Sequence, residues 1–271
     1  MQIHIKNRMA RYTILVLCMA MALCTGSAAD IHAASSLEPV SGETKENDTG
    51  QEKEESVVKA VFCAGSKGTL GIENAKGAVK WSEGDKDILQ IVKKTNKICR
   101  VKALKDGKTY VRASAKNITV TYKVSVKSGK AFVKAWCRLW AETHITDDMG
   151  YKDKLILASS YITTFGTFSS GDTTEPVDLL TKGYGNCVAG GKLLVSMCQA
   201  MGFDAKLRFA AKDNMSRYPQ GVVFASQHYN VEVKVNGRKY YIDGMPGSGF
   251  TYLSTARKPV YYAIMGMEVQ V

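Results

Sequence analysis

Three polar residues in the C-terminal half of the chain, Cys187, His228 and Asp243, have the side-chain types that covalent acyl transfer uses. Asn186 is a good N-cap, and the residues after it predict a helix from Cys187 to Met201. A thiol on the first turn of that helix lies near unpaired backbone N–H groups and the positive end of the helix dipole. Both features favour a thiolate, so the sequence places a nucleophile at the start of a helix.

A thiol nucleophile needs a base, and beyond residue 29 the chain has three histidines, His32, His144 and His228. His228 opens a stretch of alternating polar and apolar residues that ends in an Asn-Gly turn at 236–237, the strongest short signal for a β-hairpin. The second strand of this hairpin ends at Asp243. We therefore predict that His228 and Asp243 lie nearly opposite one another, where a carboxylate orients the imidazole and stabilises its charged form.

Glycines are concentrated around the cysteine, although glycine weakens a helix. Their position predicts that other backbone segments approach this part of the chain closely, because a glycine has no Cβ to prevent it. The four residues are Gly183, Gly185, Gly190 and Gly191.

The elements that must position these residues form a predicted α+β domain over 129–271. An apolar stripe with helical spacing predicts a helix that ends near His144. A second helix is predicted over 152–165, and a short third one begins at Pro176. The stripe of the first helix consists of Phe132, Ala135, Trp136, Leu139 and Trp140.

Residues 57–128 have a different pattern, with short alternating segments separated by turn residues. The alternation is clearest over 119–126, as expected of a half-buried strand. Turn signals such as the one at 105–107 recur at the spacing of a β-sandwich, and we expect Trp81 in its core. The six strand-like segments cover 57–63, 77–83, 88–94, 98–104, 108–115 and 117–126.

The first 56 residues predict export and a tether. Residues 1–29 have three basic residues, a short apolar run and the small residues Ser27-Ala28-Ala29, as in a secretory signal peptide. Residues 30–56 are polar with a net charge of −6, which predicts a disordered acidic linker. We expect a secreted or cell-surface protein without stable membrane insertion after cleavage, since no apolar run approaches the ~20 residues of a membrane span.

Charge and composition limit the partners. With 45% apolar and 23% charged residues the chain should fold, and residues 57–129 have a net charge of +11. This excess favours an anionic cell-wall polymer as a neighbour, although scattered lysines also occur on any solvated face. The chain lacks a recognised nucleic-acid motif, zinc-type Cys/His spacing, a phosphate loop and a G-x-S-x-G elbow, so we expect no nucleic acid, metal or cofactor.

Two resemblances extend this interpretation. The segments 79–82 and 101–111, with the closing strand, resemble a bacterial group 2 immunoglobulin-like domain. The region from about 150 to 271 resembles the transglutaminase-like fold of the papain-like cysteine enzymes, through the sequences GNC at 185–187 and NGRKYYID at 236–243. The His-to-Asp separation of 15 residues is common in that family's hairpin, whereas residues 229–230 depart from its usual small residue followed by Trp.

The second resemblance implies that Cys187 is the nucleophile, His228 the general base and Asp243 the orienting acid. The implied activity is acyl transfer or hydrolysis on peptide or protein amides, as in a cysteine peptidase, an amidase or a transglutaminase. A non-catalytic adhesion protein with a degenerate domain of this family is the alternative.

Five cysteines follow residue 29, so a monomer keeps at least one unpaired thiol. The sequence leaves open a disulfide between Cys63 and Cys99 across the sandwich. Cys137 and Cys198 are expected in the core, and the proposed catalytic role keeps Cys187 out of any disulfide.

Overall fold

The computed structural model describes residues 31–32, 53–209, 228–249, 251 and 253–255. Among these residues, eight strands precede the first described helix and form two four-stranded sheets, in the orders β1-β3-β6-β5 and β2-β8-β7-β4. The pairs β1–β3 and β2–β8 are parallel, and the other pairs are antiparallel. The strands are β1 (Ile31–His32), β2 (Glu54–Cys63), β3 (Lys67–Gly71), β4 (Lys80–Glu83), β5 (Leu89–Lys94), β6 (Ile98–Ala103), β7 (Gly107–Ser114) and β8 (Ile118–Lys127).

The two sheets enclose a common apolar core that includes Phe62, Val101 and Tyr122. Trp81 is buried in it as expected, and its indole N–H donates to the carbonyl of Thr95 at 2.8 Å. All six segments with strand-like alternation form strands, whereas β3 did not stand out because its sequence, KGTLG, has two glycines and one large apolar residue. Gly68 of β3 is required there, because a Cβ would lie 2.2 Å from the Phe62 ring.

Two strand segments fall inside the stretch predicted as a disordered linker, namely β1 and the first residues of β2. Glu54 and Glu55 are exposed and are held by backbone pairing with Ile118 and Thr119 of β8. Hydrogen bonds of the backbone do not depend on apolar side chains, so the composition of this stretch could not reveal them.

Strand β2 contacts two different cores because successive side chains of a strand point to opposite faces. Val58, Ala60 and Phe62 face the core between the sheets. Val61 and Cys63 face the other way and are buried against the first helix of the C-terminal unit. The β-rich unit and the C-terminal unit are therefore joined by a packed seam.

The same alternation of side chains separates Cys63 from Cys99, the two cysteines that could have formed a disulfide. Cys63 belongs to the core shared with the helices, whereas Cys99 lies between the two sheets, and both are free thiols. The bridge that the sequence left open is absent, since the two side chains lie on opposite sides of a sheet.

The C-terminal unit packs helices against one face of a four-stranded antiparallel sheet with the order β11-β12-β13-β14. Helical segments begin and end within a few residues of the predicted ones, and Pro176 is at the first turn of its helix. In the described part of the chain no helix has the length and apolarity to cross a membrane. The elements are α1 (Gly129–His144), α2 (Tyr151–Phe165), β9 (Thr167–Phe168), α3 (Pro176–Lys182), β10 (Tyr184–Gly185), α4 (Cys187–Ala200), β11 (Asp204–Phe209), β12 (Tyr229–Val235), β13 (Arg238–Ile242) and β14 (Leu253–Ser254).

Candidate active site

The start of α4 is fixed by the side chain of Asn186. Its Oδ1 accepts hydrogen bonds from the backbone N–H groups of Val188 and Ala189 at 3.0 and 3.1 Å, as an N-cap should. The backbone N–H of Asn186 donates to the carbonyl of Thr173 at 3.3 Å, and its Nδ2 donates to that of Gly171 at the same distance. These bonds hold the half-buried Cys187, the first residue of the helix, against the loop that precedes α3.

The β-hairpin of β12 and β13 positions His228 and Asp243. Asn236 and Gly237 have φ angles of 49° and 78°, which are the left-handed values of a two-residue type I′ turn. His228 comes directly before β12 and Asp243 directly after β13. The register, which pairs Val231 with Ile242, leaves the two side chains two positions out of alignment at the open end of the hairpin.

All three residues come together in space. The Nε2 atom of His228 lies 2.5 Å from Oδ2 of the fully buried Asp243. The other carboxylate oxygen, Oδ1, accepts the backbone N–H of Met245 at 2.9 Å. The His228 ring also hydrogen-bonds the side chain of Cys187. Because Nε2 faces Asp243, Nδ1 is the ring nitrogen that faces the thiol.

The environment of His228 favours its charged form. Burial by itself lowers the pKa of the imidazole, but the hydrogen bonds and charges of Asp243 and Cys187 outweigh it and raise the pKa to about 10. At neutral pH the ring is therefore an imidazolium between a carboxylate and a sulfur. A charged imidazole next to a cysteine stabilises the thiolate form of that cysteine.

This pKa predicts the pH dependence of stability. The pKa of His228 is near 6.5 in the unfolded chain and about 10 in the folded protein. A raised pKa contributes stability that is complete below about pH 6.5 and disappears as the pH rises through about 10. The difference in melting temperature between the wild type and His228→Gln should therefore shrink steadily over that range, as measured by calorimetry.

His144→Gln is the matched control, since burial lowers the pKa of His144 and the sign is reversed. For His144 the stabilising effect of the neutral ring is present above about pH 6.5 and decreases as the pH falls below it. A constant melting-temperature difference for His228→Gln from pH 6.5 to 10 would contradict the charged imidazole.

A close backbone contact sets the distance between α4 and the hairpin. A Cβ on Gly190 would lie 1.9 Å from the carbonyl oxygen of Gly244, the residue after Asp243, and 2.8 Å from Cδ of Pro246. The expected approach of another backbone segment is thus present at Gly190. The helix that begins with Cys187 packs directly on the segment that follows Asp243, so the two ends of the site are held together.

One supporting residue, Ser159 of α2, was not predicted from the sequence. It is fully buried, and its hydroxyl donates to the backbone carbonyl of Asp243 at 2.5 Å and also contacts the Thr251 hydroxyl. A serine on the apolar face of a helix, between Leu155 and Ile162, is the signal that could have revealed it. A buried polar side chain needs a partner, and here that partner is the backbone of the site.

The two residues after His228, where the chain departs from the transglutaminase-like pattern, have structural roles. Tyr229 packs its ring 5.0 Å from that of Phe209. Asn230 is fully buried, and its Oδ1 accepts the Nε–H of Arg208 at 3.1 Å. The Arg208 guanidinium also lies 4.7 Å from the centre of the Tyr241 ring. A polar and aromatic group of side chains thus stands next to His228.

Two exposed aromatic side chains lie on the strands that precede α4 in the chain. Phe168 and Tyr184 are 44% and 40% exposed, and they lie on the short parallel ladder of β9 and β10. This ladder ends at Gly185, two residues before Cys187.

The remaining described cysteines differ from Cys187 in their surroundings. Cys63, Cys99, Cys137 and Cys198 are buried, whereas Cys187 is half-buried. Burial raises the pKa of Cys99 and of Cys198 to about 12, which keeps these thiols protonated. Within the described residues no group of three or more His, Cys, Asp or Glu side chains is arranged to hold a metal ion.

Comparisons with known proteins add no identification. No protein-family model and no curated protein matches this sequence. The M1 domain from titin aligns over 29% of this chain and 96% of its own, with 15% identity and a TM-score of 0.19. The S-layer protein rSbsC aligns over 73% of this chain and 24% of its own, with 11% identity and a TM-score of 0.24. Scores this low carry no argument, so the immunoglobulin-like and transglutaminase-like assignments stay predictions.

Proposed function

We propose that this chain is an exported cysteine enzyme that transfers the acyl group of a peptide or protein amide through Cys187. The observation that supports this proposal is the contact of His228 with both Cys187 and Asp243 at the start of α4. A cysteine, a histidine and a carboxylate in hydrogen-bonded series are the parts that covalent acyl transfer needs.

In the first half-reaction the thiolate of Cys187 attacks the carbonyl carbon of the amide, and a tetrahedral oxyanion forms. The backbone N–H of Cys187, at the first helical position, would donate to this oxyanion. The His228 imidazolium then gives its proton to the leaving nitrogen, the C–N bond breaks, and a thioester and a free amine result.

In the second half-reaction neutral His228 takes a proton from the acceptor as that acceptor attacks the thioester. Water as the acceptor gives a carboxylic acid, as in a peptidase or amidase. A primary amine gives a new amide, as in a transglutaminase. In both cases the thiolate of Cys187 is regenerated, and Asp243 holds the ring in position throughout.

The proposal predicts the reactivity of the thiol. At pH 6, iodoacetamide should alkylate Cys187 at least about tenfold faster than it alkylates the same thiol in urea-unfolded protein, because in the proposed mechanism the neighbouring His228 imidazolium activates the sulfur as a nucleophile. His228→Gln should remove this advantage, whereas the control His144→Gln should keep it. Mass spectrometry of the alkylated peptides gives the rate at each cysteine.

Turnover is tested separately with a blocked Gln-Gly dipeptide, with and without hydroxylamine. Acid formation indicates hydrolysis, hydroxamate formation indicates transfer, and Cys187→Ala should abolish whichever product appears. If Cys187 reacted equally fast in the wild type and in His228→Gln, the non-catalytic adhesion protein would be the better interpretation.

A further inference from the structure

The loop between β9 and α3, residues 169–175, is bonded to the residue that precedes Cys187. The backbone N–H of Asn186 donates to the carbonyl of Thr173 at 3.3 Å. Its side-chain Nδ2 donates to the carbonyl of Gly171, also at 3.3 Å. We call residues 169–175 the site loop.

Both ends of the site loop are anchored as well. The backbone N–H of Ser169 donates to the carbonyl of Gly185 at 3.0 Å. At the other end, the carboxylate of Glu175 accepts the Nζ–H of Lys192 of α4 at 2.6 Å. The exposed middle of the loop, at Gly171, is reached by the side chain of Asn186. That single side-chain bond therefore ties the tip of the loop to the start of α4.

The segment that follows Asp243 approaches the same loop from its start. Gly247 has a φ angle of 70°, and a Cβ on it would lie 3.0 Å from the backbone nitrogen of Phe168. Phe168 directly precedes the site loop. The loop thus begins beside the chain that carries the carboxylate and is bonded to the chain that carries the thiol.

Hydrogen bonds must hold the site loop, because its sequence, SSGDTTE, has no large apolar side chain to bury. Within the loop, the backbone N–H of Thr174 donates to the carbonyl of Asp172 at 2.9 Å. Loops that carry binding residues depend on a rigid scaffold to position them. Here that scaffold is the start of α4, and Asn186 provides the contact.

We propose that the site loop lines the substrate-binding site and that Asn186 is a positioning residue whose Nδ2–H group holds the loop beside the sulfur. This inference rests on the proposed acyl transfer, since the loop would contact the peptide whose amide Cys187 attacks. Backbone groups and hydroxyls of the kind found in the loop orient a ligand by hydrogen bonds. Asn186 then acts through two separate atoms, because Oδ1 caps α4 and Nδ2 holds the loop.

Asn186→Ser separates these two actions. Serine is as good an N-cap as asparagine, but it has no amide group that could donate to Gly171. Hydrogen exchange of the backbone amides in 169–175 should therefore rise at least about fivefold, since one hydrogen bond of the loop is lost. Asn186→Asp is the second variant, because it keeps the cap and the size of the side chain and should raise exchange in the same way.

Turnover of the blocked Gln-Gly dipeptide shows whether the loop serves the substrate. In Asn186→Ser we expect KM to rise at least about fivefold with little change in kcat, as when a binding contact alone is weakened. Alkylation of Cys187 by iodoacetamide at pH 6 should stay within about twofold of the wild type, because this small reagent does not need the loop. A role limited to capping the helix would change the melting temperature and leave KM as it is.

Asn117→Ser is the matched control in the β-rich unit. Nδ2 of Asn117 donates to the carbonyl of Asn74 at 2.9 Å, and its Oδ1 accepts the backbone N–H of Lys76 at 2.6 Å. This variant loses the same kind of bond far along the chain from the site loop, so exchange in 169–175 and KM should both stay at wild-type values.

The outcomes distinguish this inference from the proposed function. Unchanged exchange in both Asn186 variants would overturn the tie, and raised exchange with an unchanged KM would overturn the role in substrate binding. Absence of any product from the wild type would contradict the acyl transfer, and the substrate role of the loop with it. Exchange does not depend on catalysis, so it would still decide whether Asn186 holds the loop.

Discussion

Asp243→Asn is expected to slow acylation by about 10³- to 10⁴-fold, as the equivalent substitution does in serine proteases. The carboxylate accepts two hydrogen bonds, from His228 and from the backbone N–H of Met245. An asparagine can keep the second bond with its oxygen, but its NH₂ group then faces Nε2 of His228. The ring must become an acceptor at Nε2 and carry its proton on Nδ1, where it can no longer receive the proton of the thiol.

The experiment compares alkylation of Cys187, turnover and melting temperature on one preparation of Asp243→Asn. Glu232→Gln is the matched control, because Glu232 is a carboxylate of the same hairpin whose partners are Lys206 and Lys239. We expect near-wild-type reactivity in the control. A large loss of stability in Asp243→Asn together with normal thiol reactivity would assign Asp243 to the structure of the hairpin and remove it from the catalytic group.

Gly190→Ala is expected to lower turnover by about 100-fold, since a displacement near 1 Å in a catalytic group has a cost of that order. The new methyl group would meet the carbonyl oxygen of Gly244 at 1.9 Å, and backbone cannot move aside as a flexible side chain can. Either α4 or the segment after Asp243 must shift, and the contact between Cys187 and His228 lengthens. Overpacking of this kind also destabilises a fold by about 1–3 kcal/mol.

The neighbouring glycine provides the control. Among the described residues, a Cβ on Gly191 would meet only Cδ1 of Leu207, the end of a flexible side chain, at 2.5 Å. Gly191→Ala also gains about 1 kcal/mol of helix propensity, so we expect nearly normal turnover and an unchanged or higher melting temperature. If both variants had the same turnover, the close approach at Gly190 would not control the geometry of the site.

The parts of the site that depend on local sequence could be predicted. Asn186 is the N-cap of α4, and the Asn-Gly turn at 236–237 forms the hairpin, because a side-chain cap and a left-handed turn are both decided within a few residues. With the ends of these two elements located, the closeness of His228 and Asp243 followed from counting along the strands. The contact with Cys187 needed in addition the packing of α4 on the hairpin.

Contacts between distant segments could not be derived in this way. The sequence indicates that Gly190 can tolerate a close neighbour, but not that the neighbour is Gly244. Ser159 supports Asp243 from 84 residues away, and no pattern of alternation or helical spacing connects the two. The two faces of β2 are another contact that the sequence does not predict. Alternation predicts that Val61 and Phe62 point to opposite faces, but it does not identify the helix that covers Val61.

The packed seam at β2 means that the β-rich unit and the C-terminal unit are not separable modules. Val61 and Cys63 lie in the β-rich unit by sequence, yet they complete the core of the helical unit. A chain cut at residue 128 would present the uncovered side of α1 to water, at a cost that scales with the apolar area exposed. The C-terminal unit is thus not a module that recombination could move alone into another protein. Any functional transplant would have to bring its β-rich neighbour with it as a single inherited block.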